Sequence, residues 1–388
     1  MDGLDDRRKT HRRVRLVLVG AGHAHLEIIR RLVHECRSSD SWAELSLVSL
    51  SDKHHYSGMV PGYLRGAYRE DEIAFDLPPL ARAAGGDFIG RRALGVDTVA
   101  RVVHLEGGKT LAYDLASFNL GSRAAGEEAA LPHAVLVKPM SQAVALRRRI
   151  LQLVHRGSRE DRRVVVVGGG SAGVEVACAI AAVMDEAQCR RDVWILEASG
   201  RMLATYSEPF RLSAERVLKE KGIGVRTGTR VVRVHRDAVE LDDGSRKPSD
   251  LTVWLTGPQG PKLFEGSGLD LDERGFLLVD DSLRSLSDPA IFGVGDCATL
   301  VNHPDTPKAG VYAVRQAPIL WRSLLSTIGR GALPRYRPQE GFLSLLNTSD
   351  GRALLSYKGF VSYNRPAWWL KDWIDRRFMA RYRNLAQE

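Results

Sequence analysis

Short runs of consecutive apolar residues that stop at glycine divide this chain more sharply than any other pattern. Leu16-Val17-Leu18-Val19 runs into Gly20-Ala21-Gly22, and Val164 to Val167 runs into Gly168-Gly169-Gly170-Ser171-Ala172-Gly173. Four apolar residues without polar alternation mark a strand buried on both faces, as in a parallel sheet. A helix follows each glycine cluster. A second apolar run then stops at Ser49 in the earlier unit and, as Val193 to Leu196, at Glu197 in the later one. Ala290 to Val294 predicts another buried strand, ending in Gly295-Asp296, and Pro307-Lys308-Ala309-Gly310 opens an apolar helix through Leu325. Between these, 91–122 reads as a small antiparallel set. Met140 to Arg156 reads as an amphipathic helix with Arg147, Arg148 and Arg149 on a solvated face. Residues 52–63 read as a loop of turn formers and aromatics in which His54 and His55 are exposed.

The two units align at an offset of 148, with Gly20 under Gly168, Gly22 under Gly170, Glu27 under Glu175 and Ser49 under Glu197. Further on, Val103 to Gly108 with Asp114-Leu115 and Gly121 matches Val239 to Gly244 with Asp250-Leu251 and Gly257 at an offset of 136. A duplicated nucleotide-binding fold explains so many shared turn residues. The expected fold class is therefore α/β: two Rossmann-like dinucleotide-binding domains, one inserted in the other, plus a small C-terminal α+β region. The expected bounds are 12–125 with 281–330 for the first domain, 160–280 for the insert and 331–388 for the remainder. In that last part Phe342 to Leu346 and Arg352 to Tyr357 are strand-like. On a final helix Leu370, Ile374, Phe378, Tyr382 and Leu385 fall on one face with Lys371, Arg377 and Arg381 at its edges. That helix suits either docking on the body or lying in a membrane interface over 366–386. Residues 1–12 read as a polar arm.

The chemistry lies in the glycine turns. Gly168 permits the tight turn, Gly170 lets backbone approach a pyrophosphate, and Gly173 lets the helix pack close to the strand. The helix N-terminus then meets phosphate with free N–H groups and the positive end of its dipole. Glu197 stands where a carboxylate accepts from a ribose 2'-OH and repels a 2'-phosphate, which points to NADH rather than NADPH. The first unit departs twice, with His25 at the third glycine position and Ser49 in place of the ribose acid. Its candidate binders are Gly20, Gly22, His23, Ala24, Ser49, Tyr56, Gly121, Gly295, Asp296 and Gly310. Asp296 is placed for a polyol, and Tyr56 and Pro61 for lining a flat ring. The second unit adds Gly257. Glu175, Lys308 and Pro61 are the candidate catalytic residues, Glu175 as a carboxylate near the nicotinamide.

Composition narrows the partners. The chain has 388 residues, 44% hydrophobic and 27% charged, with a net charge of +9. These values fit a soluble protein of two or three domains with a preference for anionic ligands. No zinc finger, RNA-binding signature or long basic run points to nucleic acid, and no residue spacing points to a metal. Four cysteines, Cys36, Cys178, Cys189 and Cys297, show no paired spacing, which favours a reducing compartment. With no apolar run of about 18 residues and a charged N-terminus, the expected location is the cytoplasm, possibly the inner face of a membrane.

The order of glycine motif, inserted second glycine motif and strand with Gly-Asp resembles the pyridine nucleotide-disulfide oxidoreductase superfamily. The resemblance implies FAD in the first domain, with its pyrophosphate at Gly20 and Gly22 and its ribityl chain on Asp296, and NADH in the insert. The missing cysteine pair and the C-terminal segment look like the type II NADH dehydrogenase and sulfide:quinone oxidoreductase branch. Pro307 to Gly310 is similar to a Pro-Lys-Thr-Gly of the sulfide enzymes. Tyr56 to Tyr63 and Lys371 to Met379 look most like the NADH-dehydrogenase-like module found fused to selenophosphate synthetase. The implied function is an oxidoreductase that takes a hydride from NADH and passes electrons to an acceptor such as a quinone. Two alternatives stand beside it: a sulfur- or selenium-compound oxidoreductase using the same flavin, and a non-catalytic nucleotide sensor.

Overall fold

The computed structural model describes residues 13–37, 41–155, 161–383 and 385, and the polar arm expected over 1–12 lies outside them, as do the ends of two expected segments at Arg156 and Ala386. Ten strands make the framework. The first part of the chain supplies β1 (Val14–Val19), β2 (Ala43–Val48), β3 (Asp87–Ile89) and β4 (Leu115–Phe118). The middle supplies β5 (Ala134–Leu136), β6 (Arg162–Val167), β7 (Arg191–Leu196), β8 (Gly224–Arg226) and β9 (Leu251–Trp254), and β10 (Ile291–Gly293) follows. They form two all-parallel five-stranded sheets, ordered β10-β4-β1-β2-β3 and β5-β9-β6-β7-β8. Helices α1 (His23–Arg37) and α2 (Ser171–Glu186) follow the glycine turns, and α3 (Gly310–Thr327) follows β10. A three-stranded antiparallel meander precedes β4 in the first unit and β9 in the second, at 93–112 and 231–248.

The duplication extends to side chains. Arg15, next to the buried run of β1, donates from backbone N–H, Nε and Nη2 to the Asp114 carboxylate ahead of β4. Arg163 and Asp250 repeat all three bonds between β6 and β9. Each pair fixes the register of a central strand against its neighbour, Leu16 opposite Leu115 and Val164 opposite Leu251. The apolar run of β1 is 0–1% exposed, as a strand covered on both faces must be.

Several elements differ from the sequence reading. β5 pairs with β9, so the second sheet takes its edge from residues well before 160. A two-stranded ribbon, Arg123–Ala124 against Pro258–Gln259, joins the two units. Three residues, Ala-Val-Leu, are too few to announce a strand, and only pairing made them one. His54 and His55 are not exposed: they sit in a short strand paired with Ala74–Asp76, at 9% and 7% exposure. The loop beyond them is helical, Ser57–Met59 and then Val60–Arg65 with Pro61 in its first turn, where proline's fixed φ is favourable. Arg147 lies over the Tyr63 ring rather than in solvent.

The C-terminal region is a three-stranded antiparallel sheet, Ser344–Asn347, Ala353–Tyr357 and Phe360–Asn364, joined directly to α4 (Arg365–Arg383). α4 keeps only part of the expected stripe. Tyr382 and Leu385 are buried as expected, but Lys371, Asp375 and Met379 are buried too, while Leu370 is 38% exposed. Polar partners on the first unit, described below, decide this.

The paired Arg–Asp locks predict that Asp114→Asn and Asp250→Asn each lower stability by about 1–2 kcal/mol, less than a fully buried ion pair because the side chains remain partly solvated. Urea unfolding checks this, and wild-type stability in both variants would show that the locks are decorative.

Candidate functional site

Gly20 and Gly168 hold φ of +89° and +115°, a region closed to most residues with a Cβ. Each turn lies under the residue following the neighbouring strand. A Cβ on Gly20 would stand 2.5 Å from the Asn119 carbonyl oxygen, and one on Gly168 would collide with that of Leu255. Gly22 is pressed by the Asn119 side chain and Gly173 by the Gly168 carbonyl, whereas Gly170 faces open space. His25, at the position of Gly173, is fully buried and turned into the sheet. Its Nδ1 donates to the Gly20 carbonyl (2.5 Å), which leaves Nε2 to accept from the Ser117 hydroxyl (2.9 Å). The imidazole therefore draws α1 onto the strand by hydrogen bonds where glycine does so by closeness.

Asn119 was not foreseen. Its Oδ1 accepts from the N–H groups of Ala24 (3.1 Å) and His25 (3.4 Å) and its Nδ2 donates to the Val294 carbonyl (2.8 Å). Ala24, a candidate binder, gives its N–H to this side chain. In the second turn Glu197 accepts from the Gly169 N–H (2.6 Å) and the Ser199 N–H (2.8 Å). Its carboxylate is fixed across the mouth of the turn, and each oxygen keeps a lone pair for a hydroxyl. Ser49 stands half-buried at the equivalent place.

The residues of the first cradle fit a flavin dinucleotide. Asp296 follows Gly295, itself at φ +71°, at the end of β10. Burial raises its carboxyl, and Lys138 and Lys308 act on it through charge. The hydroxyls of a ribityl chain are the donors such a desolvated carboxylate calls for. Gly121 is left-handed (+73°) with open space above it. His54 donates from Nδ1 to the Ala21 carbonyl (2.8 Å), and its Nε2 is buried with no partner among the described residues. His23 lies against Gly310 at the start of α3 and within 5.6 Å of the Tyr56 ring.

A second assembly of groups surrounds Glu175. Burial pushes its carboxyl up to about 7, against the Asn347 N–H, which donates to it (2.7 Å), and Lys371, both of which favour the charge. Lys371 and Asp375 form a buried ion pair (2.7 Å) one turn apart on α4. The Lys371 ammonium also donates to the Gly58 carbonyl (2.6 Å), and the Tyr56 hydroxyl donates to Asp375 (3.1 Å). Tyr56 stacks on Phe378 at 4.4 Å. Lys371 and Asp375 carried a readable signal, opposite charges at i and i+4. That pattern is common on solvated helices, and the sequence reading placed Lys371 at an edge.

Other expected residues sit as follows. Lys308 turns inward, donating to the Ala298 carbonyl and the Thr299 hydroxyl with Phe276 beneath it. Pro61 is buried in its helix start. Gly257 accepts from the Ala125 N–H at the domain crossing (2.9 Å).

Burial holds His23 and His25 down to about 4 and His54 to about 3. The unfolded chain binds protons at these sites from about pH 6.5 downward. Their contribution to stability is thus complete above that pH and is lost as pH falls towards 4. Glu175, raised, has the opposite sign, since stability falls as pH rises from about 4.5 through 7. With His55 also lowered and Asp296 also raised, four imidazoles against two carboxyls leave a net loss on acidification. Thermal unfolding between pH 7 and 4 should show it, with a shallower slope in His25→Asn; an unchanged slope would overturn the assignment.

Comparison with known proteins agrees with this geometry. A family model described as pyridine nucleotide-disulphide oxidoreductase matches residues 14–317. A protein named "Probable NADH dehydrogenase" from Dictyostelium discoideum is 30% identical over 55% of this chain; the match spans 52% of that relative, about half its length. The demethylphylloquinone reductase NdbB of a Synechocystis strain is 25% identical over 92% of this chain and 94% of its own. The structure of the sulfide:quinone oxidoreductase of Aquifex aeolicus superposes with a TM-score of 0.79 over 96% of this chain and 92% of that one. At 16% identity the likeness is one of fold. With both glycine cradles and Asp296 inside the matched region, the chain belongs to the pyridine nucleotide-disulphide oxidoreductase family.

Proposed function

We propose that this chain takes a hydride from NADH and passes the electrons through FAD to a small-molecule acceptor, a quinone being the acceptor best supported. Family membership makes it an FAD-dependent oxidoreductase with a second dinucleotide site. The observation that carries the reading is the pair of matching cradles, one ending in Asp296, placed for a polyol, and the other in Glu197, placed for a ribose. Bound flavin supplies the exchange between a two-electron donor and the acceptor. The protein's residues bind and orient: the turn at Gly168 and Gly170 holds the NADH pyrophosphate, and Glu197 takes ribose hydroxyls. Glu175 keeps a carboxyl that gains or loses a proton near neutrality. Lys308 holds the turn before α3, and Pro61 starts the helix behind Tyr56. The relatives named for NADH dehydrogenase and demethylphylloquinone reductase activity support the donor and the acceptor class. All four cysteines are free thiols, with Cys178 and Cys297 buried, so no thiol pair supports sulfur as the relay.

The finer placement, beside the module fused to selenophosphate synthetase, is supported by a contact. The two resembling segments, 56–63 and 371–379, meet through Tyr56 on Phe378 and Lys371 on Gly58.

Anaerobic NADH should bleach the flavin bands of the purified yellow protein, added quinone should restore them, and NADPH should be slower by about tenfold or more, one lost hydrogen bond's worth. A colourless protein that fails to retain FAD, or NADH that binds without bleaching, would overturn the reading.

No helix among the described residues is long and apolar enough to cross a membrane. The outer face of α4 nevertheless presents Trp369 (61% exposed), Trp373 (58%) and Leu370, with Arg377 over Trp373, and Phe360 on the preceding strand is 63% exposed. Aromatic rings with basic neighbours suit the headgroup layer, and this supports attachment at the inner face of a membrane. Binding to anionic vesicles should fall by about tenfold in Trp369→Ala/Trp373→Ala; a wild-type chain that leaves vesicles bare would sink the idea.

A further inference from the structure

The turn Asn347–Arg352 joins the first two strands of the C-terminal sheet, and its first half is buried while Asp350, Gly351 and Arg352 are exposed. Asn347, Thr348 and Ser349 are polar and only 4%, 0% and 3% exposed. Ser349 holds φ +60°, a left-handed conformation that a side chain with a Cβ disfavours. Such an outlier persists where its surroundings over-determine it, and here all three parts of the molecule do. Arg65 of the first unit donates to the Ser349 carbonyl (2.9 Å). Lys221 of the second unit pairs with Asp350 (2.9 Å). Tyr363 of the C-terminal sheet donates its hydroxyl to the same carboxylate (2.5 Å), and Thr348 donates to the other oxygen (2.7 Å). At the head of the turn the Asn347 N–H reaches Glu175.

We propose that Asp350 is a positioning residue for Glu175: latched to Lys221 and Tyr363, it holds the turn so that the Asn347 N–H meets the Glu175 carboxylate and fixes its orientation. The inference rests on the reading of Glu175 as a group of the reaction site. It makes the seating of the second unit, through Lys221, part of what sets that carboxylate. The charged and titratable groups facing Glu175 are Lys371 and Asp375 from α4, Tyr206 from the segment before helix Glu208–Glu220, and Cys178 from α2 itself. An N–H donor favours the ionised form, so a slack turn moves the titration of Glu175 upward. Simple loss of the Asp350 charge would move it downward, and the two causes are therefore separable by sign.

The test uses the full FAD-loaded chain carrying Asp350→Asn or the charge-neutral Tyr363→Phe, with Asp350→Glu as the rescue. Infrared difference spectra follow the Glu175 carboxyl through its titration, assigned by loss of the band in Glu175→Gln. The midpoint should rise by about half a unit or more in both variants and return in the rescue, and the pH profile of flavin reduction by NADH should move with it. A midpoint that stays or falls in folded variants with lowered melting temperature overturns the proposal and leaves the turn a matter of stability alone. If Asp350→Asn does not fold, Tyr363→Phe decides. Failure of the reading of Glu175 as a reaction-site group is seen separately, as wild-type reduction by NADH in Glu175→Gln, while the infrared titration still judges the latch.

Discussion

Backbone pressed on backbone without an intervening Cβ is the constraint on which both halves of this protein depend. Gly20 and Gly168 lie in left-handed turns under the carbonyls of Asn119 and Leu255. Only glycine allows the first strand of each unit to turn into its helix at that distance. The position of the helix N-terminus, and so of any phosphate it meets, follows from this approach. The Arg15–Asp114 and Arg163–Asp250 locks act one strand-length away and keep the approaching strands in register.

The two cradles solve the remaining packing problem differently. The second uses Gly173, where nothing larger fits against the Gly168 carbonyl. The first uses a buried neutral imidazole, satisfied at both nitrogens by Gly20 and Ser117. A buried polar ring is tolerable only when fully paired. The substitution therefore required Ser117 on the strand beneath, and the histidine turns into the sheet rather than the cradle.

Around Glu175 the organising force is electrostatic. Lys371 and Asp375 are buried in mutual contact, and a buried ion pair costs desolvation that is offset only when the remaining hydrogen-bonding positions are filled. Gly58 and Tyr56 fill them. The same bonds rotate α4 so that its tryptophans face outward. One set of polar contacts thus sets both the environment of an acid near neutrality and the composition of the outer surface.

The sequence by itself determined the parts whose physics is local. Apolar runs ending in glycine, a helix after each, the matching offsets and the acid at 197 announce two nucleotide folds, because strand burial and positive φ leave marks on consecutive residues. It missed what depends on distant partners. His54 and His55 look exposed until Ala74–Asp76 pairs with their strand. Three residues at 134–136 become a sheet edge only beside β9. Asn119 caps a helix 95 positions upstream of it. Lys371 and Asp375 show the spacing of an ordinary surface pair, and only the docking of α4 on the first unit placed them inside. Residues whose partners are distant in the sequence owe their environment to the fold, so no short window along the chain records it.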